Sequence, residues 1–196
     1  MAAKERPAEF AILGLLASDE AGSHGYDLAR AFAPGEPLGE ILRLEPGMLY
    51  HHLKLLERSV SVKQTTVQTG NRPPRQIYQI TDHGLARLRQ WLQSPVGHTR
   101  EIRLDFLVKL YFAQKLDASL AASLVSTQLT ILRDVRESLQ DAEEARSTDA
   151  DAGAMQFLES VRSLRLAQTD AAVRWLESLQ TEVDQSSSRN TTAGMP

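Results

Sequence analysis

The sequence predicts a mainly α-helical chain with one small β-hairpin, arranged as two domains. Three observations predict it. Apolar residues recur at helical spacing through most of the chain. The period switches to strand-like alternation once, on either side of a Gly- and Pro-rich turn between residues 60 and 80. A short break, Ser94-Pro95-Val96-Gly97, then separates a half that mixes helix and strand from a half that is helical throughout. The chain has 196 residues, enough for two small domains. They are placed at 8–94 and 100–183, with 184–196 expected to be a disordered tail because little in it is apolar enough to bury.

The first helix is Phe10 to Leu16. Gly22, Ser23 and Gly25 break the chain after it, and Tyr26 to Phe32 follows as a short second helix. Residues 33–39 hold two prolines and two glycines and read as a loop. Pro46 suits the first position of a third helix, where its missing N–H is not needed. Val60, Val62 and Val67 mark one strand and Ile77, Tyr78 and Ile80 a second, with the turn Thr69 to Arg75 between them. Thr81 and Asp82 form an N-cap pair for a helix over 83–93, with Leu85, Leu88, Trp91 and Leu92 at helical spacing.

In the second half, Ile102 to Phe112 is apolar on nearly all sides and needs more than one neighbour to bury it. Asp117 precedes a long helix to about Ala145 with a stripe of Leu120, Leu124, Ile131, Val135 and Leu139. Residues 147–153 read as a polar loop. A last helix over 154–183 aligns Phe157, Val161, Leu164, Ala171, Trp175 and Leu179.

Composition narrows the function. Cysteine is absent, which excludes disulfides and thiolate metal sites and fits a reducing compartment. The N-terminus has no signal-peptide pattern, and the longest apolar run, Phe10 to Ala17, is far short of the ~20 residues of a membrane span. A cytoplasmic protein, associated with the nucleoid when bound to DNA, is expected. The net charge is −3 but uneven. Between Pro46 and Gln90 stand seven basic and two acidic side chains; from residue 96 onward there are eleven basic and fifteen acidic. A basic patch on an acidic chain is the footprint of a polyanion partner.

The third helix sharpens that footprint. At 100° per residue, Leu49, His52, Leu53 and Leu56 share one face, while Gly47, His51, Lys54 and Arg58 lie opposite with Tyr50 on the flank. A helix entering the major groove needs a small residue where its backbone approaches DNA and donors further along. By itself this pattern also describes an ordinary amphipathic helix. The neighbours decide: a short helix precedes it, and a hairpin carrying Asn71, Arg72 and Arg75 at a Pro-stiffened turn follows. That order is the winged helix-turn-helix. Gly47, Met48, Tyr50, His51 and Lys54 are expected to face the groove, and Arg72 and Arg75 to hold the wing on the backbone or minor groove. Tyr26 is expected to lean on the third helix with its hydroxyl near phosphate.

At these positions the sequence resembles a family. His24-Gly25-Tyr26-Asp27-Leu28, then Gly47-Met48-Leu49-Tyr50 with Leu53 and Leu56, then Arg72-Pro73-Pro74-Arg75 with Tyr78, Ile80-Thr81 and Gly84, resemble the PadR family of bacterial transcriptional regulators. The likeness covers roughly residues 10–94, and the helical second half looks like the dimerisation region of longer members. It implies a homodimeric winged-helix regulator, usually a repressor, released from its operator by an effector. One departure is Ser59, where the family usually ends the recognition helix with glycine.

Other readings are weaker. His51 and His52 point about 100° apart and do not share a metal readily, and no metal or other cofactor is expected. No P-loop, dinucleotide fingerprint, HExxH or GxSxG occurs, so no enzyme is expected. The alternative to a repressor is a winged-helix protein–protein interaction module without specific DNA binding. Lys54, Arg58 and the wing arginines favour DNA. Three long apolar-striped helices exceed what a winged helix needs, and dimerisation through Phe157, Val161, Leu164, Trp175 and Leu179 would set two recognition helices ~34 Å apart on a palindromic double-stranded operator. Trp91, Phe106 and Tyr111 read either as core aromatics or as the lining of a pocket for a small-molecule effector of unidentified kind.

Overall fold

The computed structural model describes residues 6–19, 21–68, 75–144 and 152–192, with side chains for all of these except 142–144, 152–154 and 183–192. The elements are α1 (Pro7–Ala17), β1 (Ser23–His24), α2 (Gly25–Arg30), α3 (Pro37–Ile41), α4 (Pro46–Arg58), β2 (Val62–Val67), β3 (Arg75–Ile80), α5 (Asp82–Gln93), α6 (Leu107–Leu116), α7 (Ala118–Glu144) and α8 (Ala152–Thr192). A 3₁₀ turn at Thr99–Glu101 and a π turn at Ile102–Phe106 lead into α6. The chain divides into two compact units. One runs to Ser94 and takes in Arg103–Ala118; the other comprises Pro95–Ile102 and the chain from Ser119 onward.

The first unit is built around α1. Phe10, Ala11, Ile12, Leu13 and Leu16 are all buried, so α1 is a core helix rather than an amphipathic one. It touches α4, α5, α6 and β3. Phe10 stacks on Trp91 of α5 at 4.4 Å. Gly14 lets Phe112 of α6 lie on the helix, since a Cβ there would stand 2.5 Å from a ring carbon. The boundary expected between 94 and 100 therefore moves: α6 belongs with the first unit, because α1, α3 and α5 are what bury its apolar sides. Trp91 and Phe106 are core residues of this unit, the plainer of their two readings. Among them lies Lys109, 2% exposed. Its Nζ donates to the carbonyls of Trp91 (2.7 Å) and Ser94 (2.6 Å) and sits 4.5 Å above the Trp91 ring. A cation at the C-terminal end of α5 satisfies carbonyls that have no helical partner.

The sheet has the order β1-β3-β2 and is antiparallel. The hairpin runs in register from Val62↔Ile80 to Val67↔Arg75. A third strand was not expected: β1 pairs Ser23 with Tyr78 and His24 with Ile77, within a stretch that the sequence marks only as a break. Two residues are too few for any alternation to show. The loop expected over 33–39 also needs correction, because α3 begins inside it. Pro37 fills the first helical position, where proline is welcome, and Gly39 allows the turn to lie against the Ala33 carbonyl, which a Cβ would strike. Strand β2 begins at Val62; Val60 precedes it in a left-handed turn. Helix α5 opens as expected on Thr81, whose Oγ1 accepts from the Gly84 N–H at 3.0 Å.

In the second unit the buried stripe of α7 is Ala121, Leu124, Val125, Gln128, Leu129 and Leu132. Of the expected stripe only Leu124 is buried; Leu120, Ile131, Val135 and Leu139 are half-buried. Counting large aliphatics alone overlooked Ala121 and Gln128. Gln128 is fully buried, donates Nε2 to the Val96 carbonyl (2.9 Å) and accepts from the Val96 N–H through Oε1 (2.8 Å). The segment read as a linker is thus pinned at Val96. On α8 the buried residues are Thr169, Ala172, Val173 and Leu176. The helix continues to Thr192, past the end expected at 183 and into the tail expected to be disordered. Residues 184–192 carry no apolar side chain, so the extension rests on propagation of an existing helix rather than on burial. The loop was expected over 147–153, but α8 already begins at Ala152; residues 147–151, like 193–196, lie outside the described residues. Among the described residues no helix is long and apolar enough to cross a membrane.

Candidate nucleic-acid interface

Helix α4 carries the site. Its two faces separate as the 100° periodicity requires. Leu49, His52, Leu53 and Leu56 are buried, while Gly47, Met48, Tyr50, His51, Lys54 and Arg58 are all exposed. Open space surrounds Gly47: a Cβ there would meet nothing within 4 Å, so a large partner can approach the backbone closely. Met48 is 50% and Tyr50 44% exposed, high values for side chains of this size.

The buried face includes one polar group. His52 Nδ1 lies 3.6 Å from Glu9 Oε1, an ion-pair distance but too long for a hydrogen bond, and Nδ1 has no partner. Burial is the largest influence on the imidazole and holds its pKa below the ordinary 6.5; Glu9 pulls it upward by less, and His51 and Arg6 push it down. The ring is therefore neutral at pH 7.

The end of α4 is fixed by an uncommon backbone. The Ser61 N–H donates to the Leu56 carbonyl and the Val60 N–H to the Glu57 carbonyl, both at 2.9 Å. This pair of bonds closes a Schellman motif, whose turning residue must be left-handed. That residue is Val60, with φ 56°. The glycine-like position is thus Val60, one later than Ser59, where the resemblance suggested it. Two side chains brace the turn. Thr81 Oγ1 donates to the Val60 carbonyl (2.7 Å), and Arg87 Nη1 donates to Ser61 Oγ (2.6 Å) and Ser59 Oγ (3.3 Å). They tie the end of the helix to α5.

On the wing, Arg75 is exposed at the start of β3, opposite Val67. Asn71 and Arg72 lie outside the described residues. Tyr26 does not lean on α4 as expected: it is 73% exposed. The contact runs the other way. Tyr50 of α4 lies over the start of α2, where Gly25 leaves room for its ring. Tyr26, Tyr50, Tyr78 and Arg75 surround an open depression of about 520 Å³. Tyr78 is buried at its base, and burial, with smaller contributions from Tyr50 and Glu57, raises its phenol pKa, so it stays protonated. Sequence reasoning missed Gly25 as a spacer and Val60 as the turning residue; no glycine stands within nine residues of Val60, so composition gave no signal for the turn. Among the described residues no three His, Asp or Glu side chains gather to hold a metal ion.

Residues 12–90 match the transcriptional regulator PadR-like family. Over 188 residues the chain is 30% identical to the negative transcriptional regulator PadR of Bacillus subtilis (strain 168), covering 91% of this chain and 98% of that protein. The chain belongs to the PadR-like family. A second relative, a probable transcriptional regulator of Mycobacterium tuberculosis, is 35% identical over 81 residues, 41% of this chain and 42% of its own. The crystal structure of Bacillus subtilis PadR in complex with operator DNA aligns at 26% identity with a TM-score of 0.44, covering 91% of this chain and 99% of that one. The fold of this PadR-like chain is a winged helix, in which α4 is followed by the β2–β3 hairpin.

Proposed function

We propose that this regulator is a repressor that binds a palindromic operator as a homodimer. Gly47, Met48, Tyr50, His51 and Lys54 face the major groove; Arg58 and Tyr26 meet the flanking backbone; Arg75, with Asn71 and Arg72, holds the wing on the backbone or minor groove. The observation that carries this reading is the division of α4, with every groove-facing residue exposed and Leu49, Leu53 and Leu56 of the opposite face buried. Repression is supported by the Bacillus relative, which is a negative regulator. No catalytic step is part of the reading, which places the protein in the cytoplasm.

The dimer contact is assigned to α8. Phe157 is 69% and Leu164 58% exposed, Leu158 adds to the patch, and Val161, Trp175 and Leu179 are half-buried. Large apolar side chains left uncovered along one helix face are what a second subunit covers. A small-molecule effector then releases the operator by favouring a different spacing of the two winged helices.

Binding to duplex DNA from the promoter of its own gene, measured at two salt concentrations, tests the reading. Phosphate-mediated affinity falls steeply with salt; no binding, or binding indifferent to salt, overturns it. Val161→Glu with Leu164→Glu gives a monomer by sedimentation that binds DNA poorly; a dimer that survives both changes removes α8 from the interface.

A further inference from the structure

We propose that the depression between the start of α2, Tyr50 and Arg75 takes one phosphate group of the DNA backbone, and that Gly25 positions the Tyr50 hydroxyl to hold it. The inference rests on the DNA-binding reading above and names a contact within it. Tyr26 and Tyr50 bring phenol donors and Arg75 a guanidinium to one open hollow. Hydroxyl and guanidinium donors around a concave surface match a phosphodiester, which accepts hydrogen bonds on two non-bridging oxygens that share one negative charge. Tyr50 belongs both to the hollow and to the exposed face of α4, so a phosphate seated here lies beside a helix docked in the groove.

Gly25 makes the arrangement possible. It is buried, and a Cβ on it would stand 2.7 Å from both Cε1 and Oη of Tyr50 and 3.0 Å from Cζ. Any other residue at 25 forces the tyrosine away. Because Tyr50 is 44% exposed, the ring can swing into solvent, so the change displaces a donor without dismantling the core. Asp27 is the one acid lining the hollow and opposes an anion there.

The experiment uses the full chain and a duplex recovered by selection from a random library, with affinity measured across a range of salt. Tyr50→Phe weakens binding about tenfold, the usual loss for a hydrogen bond to a charged group. Arg75→Gln lowers the slope of log affinity against log salt by about one. Asp27→Asn tightens binding severalfold. Gly25→Ala weakens it about tenfold in the natural background and adds nothing in a Tyr50→Ala background, where no ring remains to displace. The inference is overturned if wild type binds and Lys54→Ala weakens it, yet Tyr50→Phe, Arg75→Gln and Asp27→Asn all bind as wild type. It is also overturned if Gly25→Ala costs the same in both backgrounds, as a purely structural glycine would. If wild type binds no duplex, the DNA-binding reading itself fails.

Discussion

Val60→Gly should stabilise the protein. A side chain held left-handed costs on the order of 1–3 kcal/mol, and a β-branched one sits toward the upper part of that range. Glycine removes the cost but loosens the unfolded chain by about 0.4–1 kcal/mol. Val60 is 66% exposed, so the buried third of its side chain gives up roughly 0.5–1 kcal/mol. The balance is a gain of about 0.5–1 kcal/mol, or a Tm higher by roughly 1–4 °C for a chain of this length. The Schellman hydrogen bonds from Val60 and Ser61 survive, since both are made by backbone. Urea denaturation followed by circular dichroism measures the effect. Val60→Ala is the control: it keeps most of the left-handed strain and loses two methyl groups, so it gains nothing. A less stable Val60→Gly, or an alanine variant that gains as much as glycine, refutes the reasoning.

Three further changes test other parts of the structure. His52 is held neutral by burial, so its folded pKa is depressed; the stability it contributes is complete above its ordinary 6.5 and declines as the pH falls below that value. Urea midpoints should therefore drop between pH 7.5 and pH 5.5, and His52→Gln should flatten that part of the drop. Lys109→Met leaves the Trp91 and Ser94 carbonyls without their ammonium partner and should cost about 1–3 kcal/mol in the same assay; a neutral outcome would mean the buried charge gains nothing over its desolvation. Gln128→Leu orphans both backbone groups of Val96, at about 1–3 kcal/mol for each buried group, and amide hydrogen exchange at Val96 should accelerate.

What the sequence revealed, and what it hid, follows from range. The faces of α4 were legible because one helix sets them by period alone, and Thr81 announced α5 because a cap acts within three residues. β1 was hidden because its two residues gain their identity from pairing with β3, more than fifty positions away. α3 was hidden because Pro37 and Gly39 read as breakers, although the first starts a helix and the second fits under a carbonyl. The true stripe of α7 was displaced by Gln128, a polar residue whose burial depends wholly on Val96. In the interface, exposure of Lys54, His51 and Met48 was readable. The meeting of Tyr50 with Gly25 was not, since it joins two helices through a missing side chain.

The direct test of α4 as the groove-reading helix exploits the absence of cysteine from the chain. His51→Cys offers a single thiol on the exposed face, to which an iron chelate that cleaves nearby DNA can be attached. On a selected duplex, cleavage should fall in two patches about one helical turn apart, with the strand offset of the major groove. A label at Gln93→Cys, exposed at the end of α5, should cut little. Absence of cleavage from position 51 with binding intact, or equal cleavage from both positions, would contradict recognition by α4.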